Sequence, residues 1–389
     1  MKTRQGRAKR PRRTAAWKVL AVGLTVSLAG CTGSDGTSAG SAETSASASS
    51  SSTASATASS EAGADVVTLA EAFAATLDDE QLSALNQDYT FENAANWSNL
   101  PNALLAGGMG GGPGGGSNST GRVGLQTSTL TDEQWTALED LLAGATGTAE
   151  NEGYDEIVQH LEADDYLGDN GGGDDYGRGN FFVAFLGTPS ASGTWELQFG
   201  GHHLAVSNTY TDGALVGATP SFRGIEPMDE VEVDGDTVIP EQQERAAFAE
   251  LLASLDDDQL TTATLSDSFN DILLGPGKDW AFPESSEGLV GSDLTDDQKA
   301  LLLTAIETYV GDLADGDAQT ILAQYEDELD ETYVAYTGDI AMENNGDYVR
   351  IDGPSVWIEF SMQNGVILDG AHPHAVWRDK TADYGGLTS

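Results

Sequence analysis

The apolar positions change period along the chain. Leu138, Leu141 and Leu142 recur at helical spacing, and so do Leu301, Leu302 and Ile306. Ahead of each group stands a capping signature, Thr131 with Gln134 and Thr295 with Gln298. There a hydroxyl accepts from the N3 amide while the N3 side chain reaches back. Asp78 with Gln81 and Asp256 with Gln259 repeat that spacing with Asp as the N-cap. These residues are read as helix caps and not as paired catalytic acids. Downstream the period shortens. Residues 181–186, 194–199 and 203–206 are short β-rich runs broken by turn residues such as Thr188-Pro189-Ser190 and Asp212-Gly213. A second series covers 333–336, 348–351, 356–362 and 366–368. Between its last two members Asn364-Gly365 predicts a hairpin, because a type I′ turn needs positive φ at both positions. Helices followed by an antiparallel meander place the chain in the α+β class.

The pattern occurs twice. Leu77-Asp78-Asp79-Glu80-Gln81-Leu82 returns as Leu255-Asp256-Asp257-Asp258-Gln259-Leu260. Gly124-Leu125, then Leu130-Thr131-Asp132-Glu133-Gln134, returns as Gly288-Leu289, then Leu294-Thr295-Asp296-Asp297-Gln298. Phe182-Val183-Ala184-Phe185-Leu186-Gly187 returns as Tyr333-Val334-Ala335-Tyr336-Thr337-Gly338. The order is kept while the offset drifts from 178 to 164 to 151, as loop insertions produce. Two tandem copies of one α+β unit are therefore expected, 66–239 and 240–389, joined near Val238-Ile239-Pro240 and packed pseudo-symmetrically.

The first 31 residues read differently. Eight of the 17 Lys and Arg lie in the first eighteen positions, followed by an apolar stretch from Trp17 to Val26 with no charge after Lys18. That stretch is shorter than the roughly 20 apolar residues of a permanent span. It reads as a cleaved export signal. Leu28-Ala29-Gly30-Cys31 then resembles a bacterial lipobox, in which Cys31 is lipidated and becomes the first mature residue. Arg12-Arg13 is compatible with the twin-arginine route. Residues 32–65 are mostly Ser, Ala, Thr and Gly, too poor in apolar surface to offset their ordering entropy, and read as a flexible tether. The expectation is a lipoprotein on the outer face of a bacterial membrane, touching it through its lipid alone.

Charge and cysteine usage narrow the chemistry. Beyond Cys31 nine basic side chains face 63 acidic ones, a net charge of −54. Such a surface argues against nucleic acid and against anionic lipid; it is compatible with a salty habitat or with cation attraction, and its default reading is a solvated acidic surface. One cysteine, already assigned, leaves no disulfide, thiolate metal site or cysteine nucleophile. The glycine-rich stretch 107–116 contains GxGxxG through composition alone, with no preceding strand, so no nucleotide site is read there.

Four of the five histidines form two tight groups, His202-His203 and His372-x-His374, each following its copy's Trp-bearing strand (Trp195, Trp357). In an extended segment positions i and i+2 share a face, so His372 and His374 are expected to hold one ion together. Adjacent His202 and His203 point apart if extended, so one of them at most joins. Without thiolates the metal is Zn, Cu, Ni or Fe on imidazole and carboxylate ligands. Glu359, on a strand ending near the group, is the best carboxylate candidate, set against an ordinary exposed strand position. Asp379 is a lesser carboxylate candidate. Arg378, beside it, is read first as one side of a structural ion pair, with many carboxylates available, and second as an anion clamp. Arg122 and Arg350 are read the same way. Against the metal reading stands a bland one: histidines that pack and bond to backbone.

Gly201-His202-His203-Leu204, with Pro220-Ser221-Phe222-Arg223-Gly224 behind it, resembles a bacterial family of exported proteins catalogued as domain of unknown function 3500. The string His372-Pro373-His374-Ala375-Val376-Trp377-Arg378-Asp379, then Asp383-Tyr384-Gly385-Gly386, is similar to that family's closing motif. The resemblance covers roughly 66–389. It implies one folded unit and weight on the histidine segments, and no activity. Two readings follow: a metal-binding lipoprotein, enzyme or not, that takes a metal ion or small molecule, and a non-enzymatic cell-envelope interaction module with structural histidines.

Overall fold

Every helix cap foreseen above is formed. In the computed structural model, which describes residues 65–106 and 121–388 except 227, 229, 234 and 235, the first helical set is α1 (65–74), α2 (Asp79–Leu85), α3 (Asp132–Ala145) and α4 (Tyr154–Leu167). The second is α5 (Gln242–Ala253), α6 (Asp257–Ala263), α7 (Asp296–Val310) and α8 (Asp315–Asp327). Complete capping boxes start α2, α3, α6 and α7 at Asp78, Thr131, Asp256 and Thr295, each cap contributing about 1 kcal/mol. The box glutamines have a second task. The Gln81 and Gln134 amides exchange hydrogen bonds of 3.2 and 2.8 Å, and Gln259 and Gln298 do so at 3.0 and 2.8 Å, tying α2 to α3 and α6 to α7. Cys31, residues 32–64 and the stretch 107–116 lie outside the described residues. Among the described residues no helix is long and apolar enough to cross a membrane.

The strands are β1 (Asn86–Gln87), β2 (Leu125–Gln126), β3 (Phe182–Leu186), β4 (Thr194–Gly201), β5 (Leu204–Thr211), β6 (Ala214–Gly217) and β7 (Ser221–Gly224). They continue as β8 (Val231–Val233), β9 (Asp236–Val238), β10 (Leu289–Val290), β11 (Tyr333–Thr337), β12 (Tyr348–Asp352), β13 (Val356–Asn364) and β14 (Ala371–Asp379). All but the β8–β9 ribbon join one mixed twelve-stranded sheet in the order β1-β3-β4-β5-β7-β14-β13-β12-β11-β10, with β2 beside β3 and β6 beside β5. The last strands that the two halves give to this sheet, β7 and β14, meet antiparallel in its middle, with His374 opposite Gly224 and Ala375 opposite Arg223. At either end β3 and β11 receive an equivalent pair of neighbours. β1 and the Thr264 bridge run parallel to them, β2 and β10 antiparallel.

The short helix Phe91–Ala94 packs on one face of the sheet, and these eight helices cover the other. Phe73, Trp135, Leu138, Leu141, Val183, Phe185, Trp195 and Leu197 form one buried cluster there. Phe248, Leu251, Leu302, Ile306, Tyr309, Ile351, Ile358, Phe360 and Trp377 form the other. The opposite face packs Ala184, Leu186, Ala205, Phe222 and Val376 under Trp97, Tyr384 and their flanking loops. Because strand side chains alternate, the β14 positions Ala375 and Trp377 belong to the helix side. Val376, and with it His374 and His372, belong to the loop side.

Two sequence expectations fail in the last hairpin. Residues 366–368 are not a strand, and Asn364-Gly365 does not close a two-residue turn: Asn364 pairs with Ala371 across a longer loop. A buried carboxylate explains the difference. Glu226 accepts from the amides of Val366, Ile367 and Leu368 at 2.9, 2.7 and 2.6 Å through one oxygen, and this curls the segment away from ladder geometry. The histidine segments also lie differently from their predicted strands. His202 and His203 are the two turn residues between β4 and β5, and Pro373 sits inside β14 opposite Met362.

Candidate metal centre

The tight β4–β5 turn decides what His203 does. Gly201 and Leu204 are paired, so the turn is His202-His203, and His203 holds φ at +60°. A non-glycine residue there costs on the order of 1–3 kcal/mol and persists only where the surroundings impose it. Its ring stacks on His202, with centroids 3.7 Å apart, and its carbonyl accepts from Gly224 at 2.8 Å. Gly224 leaves the space this needs. A Cβ on it would come within 3.1 Å of the His374 ring and 3.4 Å of the His203 ring.

Across the central strand pair, extended β14 presents His372 and His374 on one face. The Nε2 atoms of His203 and His374 are 3.2 Å apart, and His203, His372 and His374 offer ring nitrogens that all lie within 4.8 Å of one another. All three residues are buried. His374 Nδ1 lies 2.9 Å from Asp271 Oδ1. A carboxylate accepts there, so Nδ1 carries the proton and Nε2 offers its lone pair to the centre, the arrangement that orients imidazole ligands. His202 is held in the same way by Asp164 of α4, at 2.7 Å, and Asp164 is itself fixed by the Gly177 amide at 2.7 Å. Burial, then the neighbouring rings of His202, His374 and His372, depress the His203 pKa well below its ordinary value. Burial and the nearby histidines bring His372 down to about 3. Both are thus neutral at physiological pH, the form in which imidazole ligates.

His372 Nδ1 is buried with no hydrogen-bond partner among the described residues. The same residue lines a cleft of about 400 Å³ with Glu226, Met228, Arg245, Glu343 and Asp369. Polar side chains thus border the cluster at His372. These three imidazoles would hold a borderline divalent ion without a further protein ligand, and such an ion would supply Lewis-acid chemistry there.

Glu359 is not part of this group. It is fully buried, not on an exposed strand face, and both oxygens are engaged. Oε1 accepts from Leu273 N at 2.5 Å and the Tyr348 hydroxyl at 2.7 Å. Oε2 accepts from Leu274 N at 2.9 Å and Trp357 Nε1 at 2.8 Å. It acts through the loop it anchors, since Asp271 stands two residues before Leu273. Arg378 and Asp379 do not pair with each other. Arg378 is fully buried and donates to Asp383 at 2.8 Å, Leu274 O at 3.0 Å and Asp279 at 3.1 Å, which leaves no fork for an anion. Asp379 accepts from the Tyr325 hydroxyl at 2.6 Å and caps the turn at Thr381 and Ala382. Arg350 donates to Glu287 at 2.8 Å. Arg122 reaches the carbonyls of Leu100 and Gly201, both at 2.6 Å, and steadies the strand end before His202; burial lowers its pKa to about 10, against the pull of Asp164.

Neither Asp271 nor Asp164 is among the residues foreseen from the sequence, and nothing local marks Asp271. Asp164 alone carried a signal, standing four residues after His160 and eight after Glu156, one helical face.

No curated protein matches the chain in a sequence search, and no solved structure matches it. A family model matches residues 59–386, which include both histidine segments, and the chain belongs to that family, described as protein of unknown function DUF3500.

Proposed function

We propose that this chain is an exported, lipid-anchored metalloprotein that binds Zn, Cu, Ni or Fe through His203, His372 and His374. The observation that carries the reading is the 3.2 Å approach of the His203 and His374 Nε2 atoms while Asp271 holds the outer nitrogen of His374. Two imidazole nitrogens directed at each other, with a third imidazole beside them, suit a cation between them better than each other. The strained His203 backbone and the room left by Gly224 support the same reading. The cleft at His372 supports an open coordination position, and with it small-molecule binding or metal-assisted chemistry.

Export rests on the basic and apolar N-terminus and on Leu28-Ala29-Gly30-Cys31. The tandem-copy reading, 66–239 and 240–389, draws support from the paired glutamine clamps and from the equivalent neighbours of β3 and β11. On that reading the metal site lies where β7 of the first copy meets β14 of the second.

The test is elemental analysis of the full-length chain purified without chelators. One equivalent of Zn, Cu, Ni or Fe, lost in a folded His372→Ala/His374→Ala variant, is the expected result. A folded wild type that takes up none of Zn, Cu, Ni or Fe would favour the interaction module with structural histidines.

A further inference from the structure

Helix α4 carries Glu156, His160 and Asp164 one turn apart. Asp164 serves the histidine centre. Glu156 and His160 turn to a separate interior cluster with Glu241, the residue before α5. Ligand atoms of these three lie within 4.8 Å of one another, and each residue is only 2 % exposed.

His160 Nδ1 donates to the Glu156 carbonyl at 3.0 Å, so Nε2 is the inward-facing nitrogen, 3.4 Å from Glu241 Oε1 and not aligned for a hydrogen bond. Arg223 Nε takes Glu156 Oε2 at 2.6 Å, leaving Oε1 free. Glu156 Oε1, His160 Nε2 and both Glu241 oxygens have no hydrogen-bond partner among the described residues. Glu244 and Glu152 each add an oxygen in the same state. Arg223, the nearby guanidinium, is already shared between Glu156 and Asp312. Burial of the His160 ring opposes its charge, but Glu241 and Glu156 outweigh that and raise its pKa. Buried carboxylates without partners cost several kcal/mol each.

The backbone of Glu241 is held for the same purpose. Its φ is +61°, and as N-cap of α5 it forms no side-chain cap bond. It forgoes the amides an acidic N-cap normally accepts from and faces the cluster instead. Protonation alone answers this poorly, since a protonated carboxyl also needs an acceptor. Burial pushes Glu241 and Glu244 above the ordinary carboxylate range and Glu152 up to about 9. A bound cation would reverse that.

We infer that Glu156, His160 and Glu241, with Glu244 beside them, form a second metal site, built for an oxygen-preferring divalent cation such as Mn²⁺. Two or more carboxylates with one imidazole suit such an ion better than copper or a thiolate-seeking metal. The site is distinct from the three-histidine centre. The two stand back to back on β7, where Arg223 serves one and Gly224 the other.

The test strips the full-length chain with a chelator and titrates it with Mn²⁺, counting free ion by electron paramagnetic resonance and recording thermal melts. The His372→Ala/His374→Ala variant should still bind one Mn²⁺ per chain, which separates this inference from the histidine reading. Glu241→Gln should lose that equivalent, and Mn²⁺ should no longer raise its melting temperature. Glutamine mimics a protonated glutamate, so undiminished Mn²⁺ binding by Glu241→Gln overturns the inference. So does a folded double-histidine variant that binds none. Should Glu241→Gln fail to fold, the double-histidine titration decides alone.

Discussion

His203 and His374 are 171 residues apart in the chain, and their Nε2 atoms are 3.2 Å apart in the fold. The approach depends on three neighbours that are not ligands: Asp271, which orients His374, Asp164, which holds the His202 ring stacked on His203, and Gly224, which leaves room for both rings.

Asp271→Asn should weaken metal binding by roughly 10- to 100-fold, because the imidazole it orients loses its fixed tautomer. Asp271 is partly exposed, so stability should change little. Competition against a chelator of known affinity, beside a urea titration, measures both. Unchanged affinity would remove Asp271 from the account.

His203→Asn separates strain from ligation. Asn tolerates the left-handed conformation of this turn, so the metal-free variant should stay within about 1 kcal/mol of wild type. Its metal content should fall by one equivalent. A variant that keeps its metal would show that His203 is not a ligand.

The metal-free protein should lose stability as pH falls, through His372. Its folded pKa of about 3 lies below the unfolded value near 6.5. Between those values the unfolded chain binds a proton that the folded chain refuses. The His372 contribution is therefore fully retained above about pH 6.5 and declines below it, by about 1.4 kcal/mol per pH unit. Wild type measured against His372→Asn by urea denaturation from pH 7 to pH 4 should show this slope. A pH-independent difference would contradict it.

Glu359→Gln should cost about 2–4 kcal/mol, since an amide cannot accept the four donors that the carboxylate satisfies. Metal affinity should fall with it, although Glu359 touches no ligand, because the Leu273-Leu274 segment carrying Asp271 is released. A stability loss with intact affinity would show that the loop holds Asp271 by other means.

Arg378→Met should cost about 3–5 kcal/mol by leaving the buried Asp383 carboxylate without its partner. An Arg378→Met/Asp383→Asn pair should recover much of that loss in a double-mutant cycle. Additive losses would argue against direct coupling.

The sequence by itself determined the local structure: the four capping boxes, the order of helices before strands in each half, and the even spacing that puts His372 and His374 on one face of β14. These follow from bonds spanning three residues and from the period of a strand, and no distant partner is needed to read them. The family could be read from the same short histidine segments. Where a distant group competes for a backbone, the local signal loses, as Asn364-Gly365 did when Glu226 captured the next three amides. Only the tertiary structure decided that β7 and β14 meet at the middle of one sheet, and that decision brings His203 to His374. It also set Glu359 to anchoring a loop, gave Asp271 and Asp164 their histidines, and gathered Glu156, His160 and Glu241 into one buried cluster. Each of those outcomes depends on long-range strand pairing and on which carboxylate a buried donor meets. Neither leaves a mark at fixed spacing along the chain.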